Sequence, residues 1–119
     1  MKYDELDFFE FFESEPSYLF EKEAGFCRYS YEKDNLRIMA FLSCYEDYMS
    51  IDISYKKSTV YSGEITNIEE IKKFDTDILK VVTDKNWIFL KKWPCIGVSF
   101  EERLEKKSYN KFKKRSLKC

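Results

Sequence analysis

The carboxylates Glu46, Asp47 and Asp52 lie close enough in sequence to suggest a paired acid of the kind that does general acid/base work. The neighbouring residues argue against that chemistry. Glu46-Asp47 has the composition of a turn, and Asp52 alternates with the apolar Ile51 and Ile53, the pattern of an acid turned to solvent. The 119 residues include no histidine, so the usual general base and the middle member of a serine or cysteine triad are missing. Cys27, Cys44, Cys95 and Cys119 are widely spaced, show no C-x-x-C pairing and have no histidine to complete a zinc site. Gly25, Gly63 and Gly97 are isolated from one another, which excludes a glycine-rich phosphate cradle. No catalytic, metal or cofactor site is therefore expected, and the chain reads as a non-enzyme.

The strongest chemical signal is instead one of recognition. Between Tyr3 and Glu13, the apolar residues Tyr3, Leu6, Phe8, Phe9, Phe11 and Phe12 interleave with Asp4, Glu5, Asp7, Glu10 and Glu13. At 100° per residue the apolar side chains spread around most of a helix, more than one core can cover. A helix that displays some rings among acids suits a basic protein partner, because aromatics supply contact area and carboxylates supply steering. Phe8, Phe11 and Phe12 are the candidate anchors. Asp4, Asp7, Glu10 and Glu13 are the candidate steering charges, and Glu46, Asp47 and Tyr48 form a candidate second contact loop. The acids near the helix N-terminus also complement its dipole, so they do not by themselves demand a partner.

Charge is distributed unevenly beneath a net value of −1. Through residue 75 there are 17 acids and 9 bases, and thereafter 12 bases and 5 acids, giving net −8 and then +7. Most of that basic excess falls in residues 106–119, where Tyr109 and Phe112 are available for stacking on a nucleic acid. The acidic body disfavours such a partner, and a solvated extension is the plainer reading.

The elements that must position these residues follow from periodicity. The opening helix should end near Ser14-Glu15-Pro16, since the residue before proline leaves the α region. Strands are expected at residues 26–31, 36–45, 48–55, 59–65, 77–83, 86–92 and 95–101, with turns at 32–35, 56–58 and 84–86, and residues 18–23 could add a first strand. Gly63 marks a bulge or close approach, and Trp93-Pro94 a break. Ile65, Ile68, Ile71 and Phe74 recur every three residues around a capping-box signature at Thr66 or Asn67, which favours a short helix at 67–74 over the alternative of an irregular strand. Residues 102–117 read as a basic helix or frayed tail. The expected fold is α+β: one domain over 1–105, with an N-terminal helix on an antiparallel sheet of about five to seven strands, mainly a meander, and a basic extension over 106–119.

No apolar run approaches the ~20 residues of a membrane span. The acidic N-terminus lacks the features of a secretory signal, so a cytoplasmic protein with free thiols is expected, either a monomer or a weak homodimer. The histidine-free composition rich in Lys, Asn and Ile, the acidic aromatic N-terminus and amphipathic strands such as Met49-Ser50-Ile51-Asp52-Ile53-Ser54-Tyr55 resemble the immunity proteins of bacterial polymorphic and contact-dependent growth inhibition toxin systems. That resemblance covers general organisation. It implies a protein that binds a cognate toxin domain, often a basic nuclease, and blocks its active or substrate-binding surface with acidic and aromatic side chains. The Lys-rich extension departs from that pattern. Two other readings compete with it: a small nucleic-acid-associated protein using the basic tail, and an accessory domain that dimerises through a self-complementary apolar face.

Overall fold

The computed structural model describes residues 1–103. The basic helix or tail, the extension at 106–119 and Cys119 lie outside the described residues. The described residues form two five-stranded sheets and one α-helix, so the α+β expectation holds while the single sheet is corrected to a pair. Sheet A has the order β1 (Lys2–Tyr3), β7 (Ile68–Asp75), β8 (Ile78–Thr83), β9 (Asn86–Lys91), β10 (Gly97–Glu102). Sheet B has the order β2 (Ser17–Tyr18), β3 (Phe26–Lys33), β4 (Leu36–Ser43), β5 (Tyr48–Tyr55), β6 (Ser58–Ile65). Every pairing is antiparallel except β1 with β7, and the chain passes from one sheet to the other at Thr66-Asn67.

Alternation builds each sheet. Along β5, Met49, Ile51 and Ile53 are buried, and along β4 Ile38, Ala40 and Leu42 join them. These side chains meet Ile71, Leu79, Val81, Ile88 and Leu90 of sheet A in one continuous core. Each such side chain contributes roughly 1.5–3 kcal/mol when fully buried.

Residues 67–74 form a strand, not a helix. The register of β7 against β8 skips at Glu69 and again at Phe74. A bulge shifts the two-residue alternation by one. The skip at Glu69 lets Ile68 and Ile71 both face the core, and ordinary alternation from Ile71 turns Phe74 to the outside. One bulge and an outward ring thus imitate the three-residue spacing of a helix. Residues 18–23 are also corrected: only Ser17–Tyr18 pairs, against Cys27 and Arg28, before a 3-10 turn at Lys22–Ala24. Lys2–Tyr3, read as the start of the helix, is an edge strand.

The hairpin turns carry their strain openly. Asp34-Asn35 between β3 and β4 has both residues at positive φ, 54° and 68°, which suits Asn and Asp. Lys56-Lys57 between β5 and β6 adopts the same conformation at 51° and 70°, and Lys56 N–H donates to Asn35 O at 2.9 Å. Neither lysine favours the left-handed region. Replacing Lys56-Lys57 with Asn-Gly should therefore stabilise the fold by about 1–2 kcal/mol, read as a rise in the denaturation midpoint, with the loss of the Lys56–Tyr55 ring contact subtracting a few tenths.

The single helix α1 (Glu5–Phe12) joins the edge strand of one sheet to the edge strand of the other. Asp4 caps it by accepting Leu6 N–H at 2.9 Å, and Glu13 ends it in the left-handed conformation, donating its N–H to Phe9 O. Phe8 sits edge-on to Tyr3 and stacks on Tyr29, with ring centroids 5.4 and 5.0 Å apart, and Phe12 stacks on Tyr29 at 5.3 Å. The helix therefore closes the side of the sandwich where β1 and β2 end.

Candidate functional site

A helix of eight residues has one inward stripe, and here it is Phe8, Phe11 and Phe12, exposed by 0%, 1% and 1%. These three are core residues, and their assignment as contact anchors is corrected. The i, i+3, i+4 spacing places them on one face and leaves Leu6 and Phe9 on the other, exposed by 58% and 47%. The outward rings that the acid-rich segment required exist, but they are different residues.

The acids divide in the same way. Asp4 is the cap. Asp7 accepts Lys73 N–H at 3.2 Å, and Glu10 pairs with Lys73 Nζ at 3.1 Å. Glu13 pairs with Lys92 Nζ at 3.1 Å; that ammonium also lies 3.7 Å from Asp77 and 3.5 Å from Glu10 O at the helix C-terminus, where a cation suits the dipole. Asp7, Glu10 and Glu13 thus dock the helix onto sheet A. Asp47 pairs with the amino group of Met1, and its carbonyl accepts Ile68 N–H. Glu46 is exposed in the loop before Tyr48.

On the outward side of α1, Leu6 and Phe9 line a depression of about 380 Å³ with Glu5, Glu15, Pro16, Tyr18 and Tyr29. Leu19 and the 69%-exposed Phe20 follow it in the chain. From Phe20 a row of rings crosses the outer face of sheet B: Phe20 to Phe26 at 5.6 Å, Phe26 to Phe41 at 6.1 Å, and Phe41 to Tyr48 at 6.4 Å. Tyr48 donates its hydroxyl to Glu64 at 2.9 Å, and that bond, with the charge of Glu64, raises the phenol above its ordinary value. Glu21, Glu23 and Glu64 add negative charge along the row, and Lys22 and Arg28 are the cations within it. Of the residues chosen from the sequence, Tyr48 lies in this row and Glu46 lies two positions before it. Glu5, Leu6, Phe9, Tyr18, Phe20, Phe26 and Phe41 were missed. The pair Leu6 and Phe9, three apart opposite the Phe8–Phe12 stripe, was the available signal.

Beneath the surface lies a thiol and phenol cluster. Cys44 Sγ donates to Tyr3 Oη at 3.3 Å. Burial, with help from Cys44 and Glu5, pushes the Cys27 thiol up to about 11, and burial likewise raises Tyr3 and Tyr29. Cys27, Cys44 and Cys95 are free thiols. At pH 8 only about one part in a thousand of Cys27 would be thiolate. Alkylation with iodoacetamide, mapped by peptide mass spectrometry, should modify the exposed Cys95 while leaving Cys27 intact in the folded protein. Equal labelling of the two would contradict the buried placement.

Among the described residues no group of His, Cys, Asp or Glu is arranged to hold a metal, and no helix is long and apolar enough to cross a membrane.

No protein-family model matches the chain, and no curated protein matches its sequence. Among solved structures the chain is similar to one in the contact-dependent growth inhibition toxin–immunity protein complex from Klebsiella pneumoniae 342, with a TM-score of 0.73, 17% sequence identity and coverage of 86% of this chain and 96% of that one. At that identity the likeness is one of fold, and it falls in the class of system that the sequence resembles.

Proposed function

We propose that this chain is an immunity protein that binds a cognate toxin domain and covers its active or substrate-binding surface, without carrying out a reaction itself. The observation that carries the reading is the acid-rimmed aromatic surface running from Leu6 and Phe9 through Tyr18 and Phe20 to Phe26, Phe41 and Tyr48, on a fold shared with a chain of a toxin–immunity complex. Residues 1–103 hold 21 acids and 14 bases, so a basic toxin domain would be drawn to this body. The rings supply the desolvated contacts that slow dissociation. The anchors are Phe9, Phe20 and Phe41 rather than Phe8, Phe11 and Phe12. Glu5, Glu15, Glu21 and Glu46 are the steering charges, since Asp7, Glu10, Glu13 and Asp47 are already engaged within the fold.

The test is co-expression with the toxin domain encoded beside this chain. Growth should be restored by the chain and the two proteins should co-purify. Continued growth arrest despite soluble chain, or a neighbouring gene whose product is not inhibitory, would end this reading.

A further inference from the structure

The outer face of sheet A carries a second concavity, of about 320 Å³, that plays no part in the surface described above. Its floor is aromatic: Phe89 is only 9% exposed although it points away from the core, and Phe74 meets it edge-on at 5.2 Å. Trp87 lies two residues back along β9, with Lys80 Nζ 4.1 Å from its ring centroid. The register orders this face into rows across β8, β9 and β10. Trp87 stands beside Glu101, Phe89 lies between Lys80 and Ser99, and Lys91 lies between Ile78 and Gly97. Lys91 therefore stands at one end of the floor and Glu101 at the other, separated by four residues or roughly 13 Å, while Lys80 reaches over Trp87 toward the carboxylate end.

Lys80 and Lys91 are both half-buried, and among the described residues neither forms an ion pair with a carboxylate. Lys72, the other lysine of this face, is paired with Glu70 at 3.5 Å. The Lys91 ammonium, left unneutralised at one end of an aromatic floor, suits an anion attached to a flat apolar body. Single-stranded nucleic-acid sites combine the same parts, a cation for phosphate and an aromatic face for the base. Glu101 adds a requirement. A carboxylate accepts from an exocyclic amino group, as on cytosine or adenine, and repels a carbonyl edge.

We infer that the outer face of sheet A binds a nucleoside phosphate, with the phosphate at Lys91, the base on Phe89 and Phe74, and the amino edge of cytosine or adenine toward Glu101. The ligand is either a free nucleotide or one nucleotide of a single strand. This inference stands apart from the docking surface on sheet B, and either can fail without the other.

The full-length chain carrying Trp93→Phe reports through Trp87, and the exposed position of Trp93 makes that replacement mild. At low salt, CMP and AMP should change the Trp87 emission saturably, and UMP should bind several-fold more weakly. Lys91→Glu should weaken CMP binding by about tenfold or more, as expected for loss of a charge-assisted contact. Glu101→Ala should bring CMP and UMP to the same affinity while leaving the far-ultraviolet dichroism unchanged. A hexanucleotide that binds more tightly than CMP, with a steep salt dependence, would identify a single strand as the source. Equal affinities would identify the free nucleotide. No saturable change up to about 10 mM nucleotide, a level beyond useful affinity, would overturn the inference, as would a response unaffected by Lys91→Glu.

Discussion

Phe8→Ala and Phe12→Ala should each destabilise the protein by about 3–5 kcal/mol, whereas Phe9→Ala, one residue away, should leave stability within about 1 kcal/mol. The difference follows from geometry. Phe8 and Phe12 stack at 5.0 and 5.3 Å on Tyr29 and fill the space where α1 closes the sandwich, so truncation leaves a cavity that two sheets cannot collapse into. Phe9 is 47% exposed on the opposite side of the same helix. A domain of this size holds only ~5–15 kcal/mol in total, so either core variant would be partly unfolded in dilute denaturant. Urea titrations followed by tyrosine or tryptophan emission read the outcome. A large loss for Phe9→Ala with none for Phe8→Ala would mean that the helix is rotated from the described orientation.

This contrast marks where the sequence was legible. Strands β3, β4, β5, β8 and β9 were readable because each buries one face and alternates with a period of two, as Met49, Ile51 and Ile53 do. The helix was readable as an element but not as an orientation. With seven apolar residues among the first twelve, the apolar side chains go most of the way around the helix, and the contacts with Tyr3 and Tyr29 select the face of Phe8 and Phe12. The division into two sheets was not readable, because a turn at Thr66-Asn67 looks the same whether the next strand pairs back or crosses over. At β7 the bulge at Glu69 and the outward Phe74 together gave a strand the spacing of a helix, and no local propensity distinguishes the two. The aromatic row on sheet B was hidden for a related reason. Phe20, Phe26, Phe41 and Tyr48 are scattered over 29 positions, and only the register between β3, β4 and β5 brings their rings together.

The acids show how a charge count misleads. Asp7, Glu10 and Glu13 looked like the field that would steer a partner, yet each is matched to Lys73 or Lys92 from sheet A. Exposed pairs of this kind contribute little to stability, on the order of 0–1 kcal/mol, but they cancel one another's field. On the proposed docking surface the steering field falls to acids without an ion pair among the described residues: Glu5 and Glu15 beside Leu6, Phe9 and Tyr18, Glu21 beside Phe20, and Glu46 before Tyr48.

For the toxin domain, Phe20→Ala and Phe9→Ala should each weaken binding by about 2 kcal/mol or more, roughly thirtyfold, chiefly through faster dissociation. Phe20 projects with 69% of its surface free and leans on Phe26, so it loses little intramolecular packing when truncated and much contact area if it is an anchor. Reversing Glu5, Glu15 and Glu21 to lysine together should act on the other rate. Association should slow by about tenfold at low ionic strength and the difference should shrink at high salt, because exposed charges more than a Debye length apart are screened. Surface plasmon resonance with immobilised toxin domain separates the two effects. Reversal of Glu10 and Glu13 provides the internal control: both are held by sheet A lysines, so their loss should lower stability modestly and leave association nearly unchanged. If the Glu10 and Glu13 variant slowed association while the Glu5, Glu15 and Glu21 variant did not, the docking face would be the sheet A side of α1, and the aromatic row on sheet B would have no part in toxin recognition.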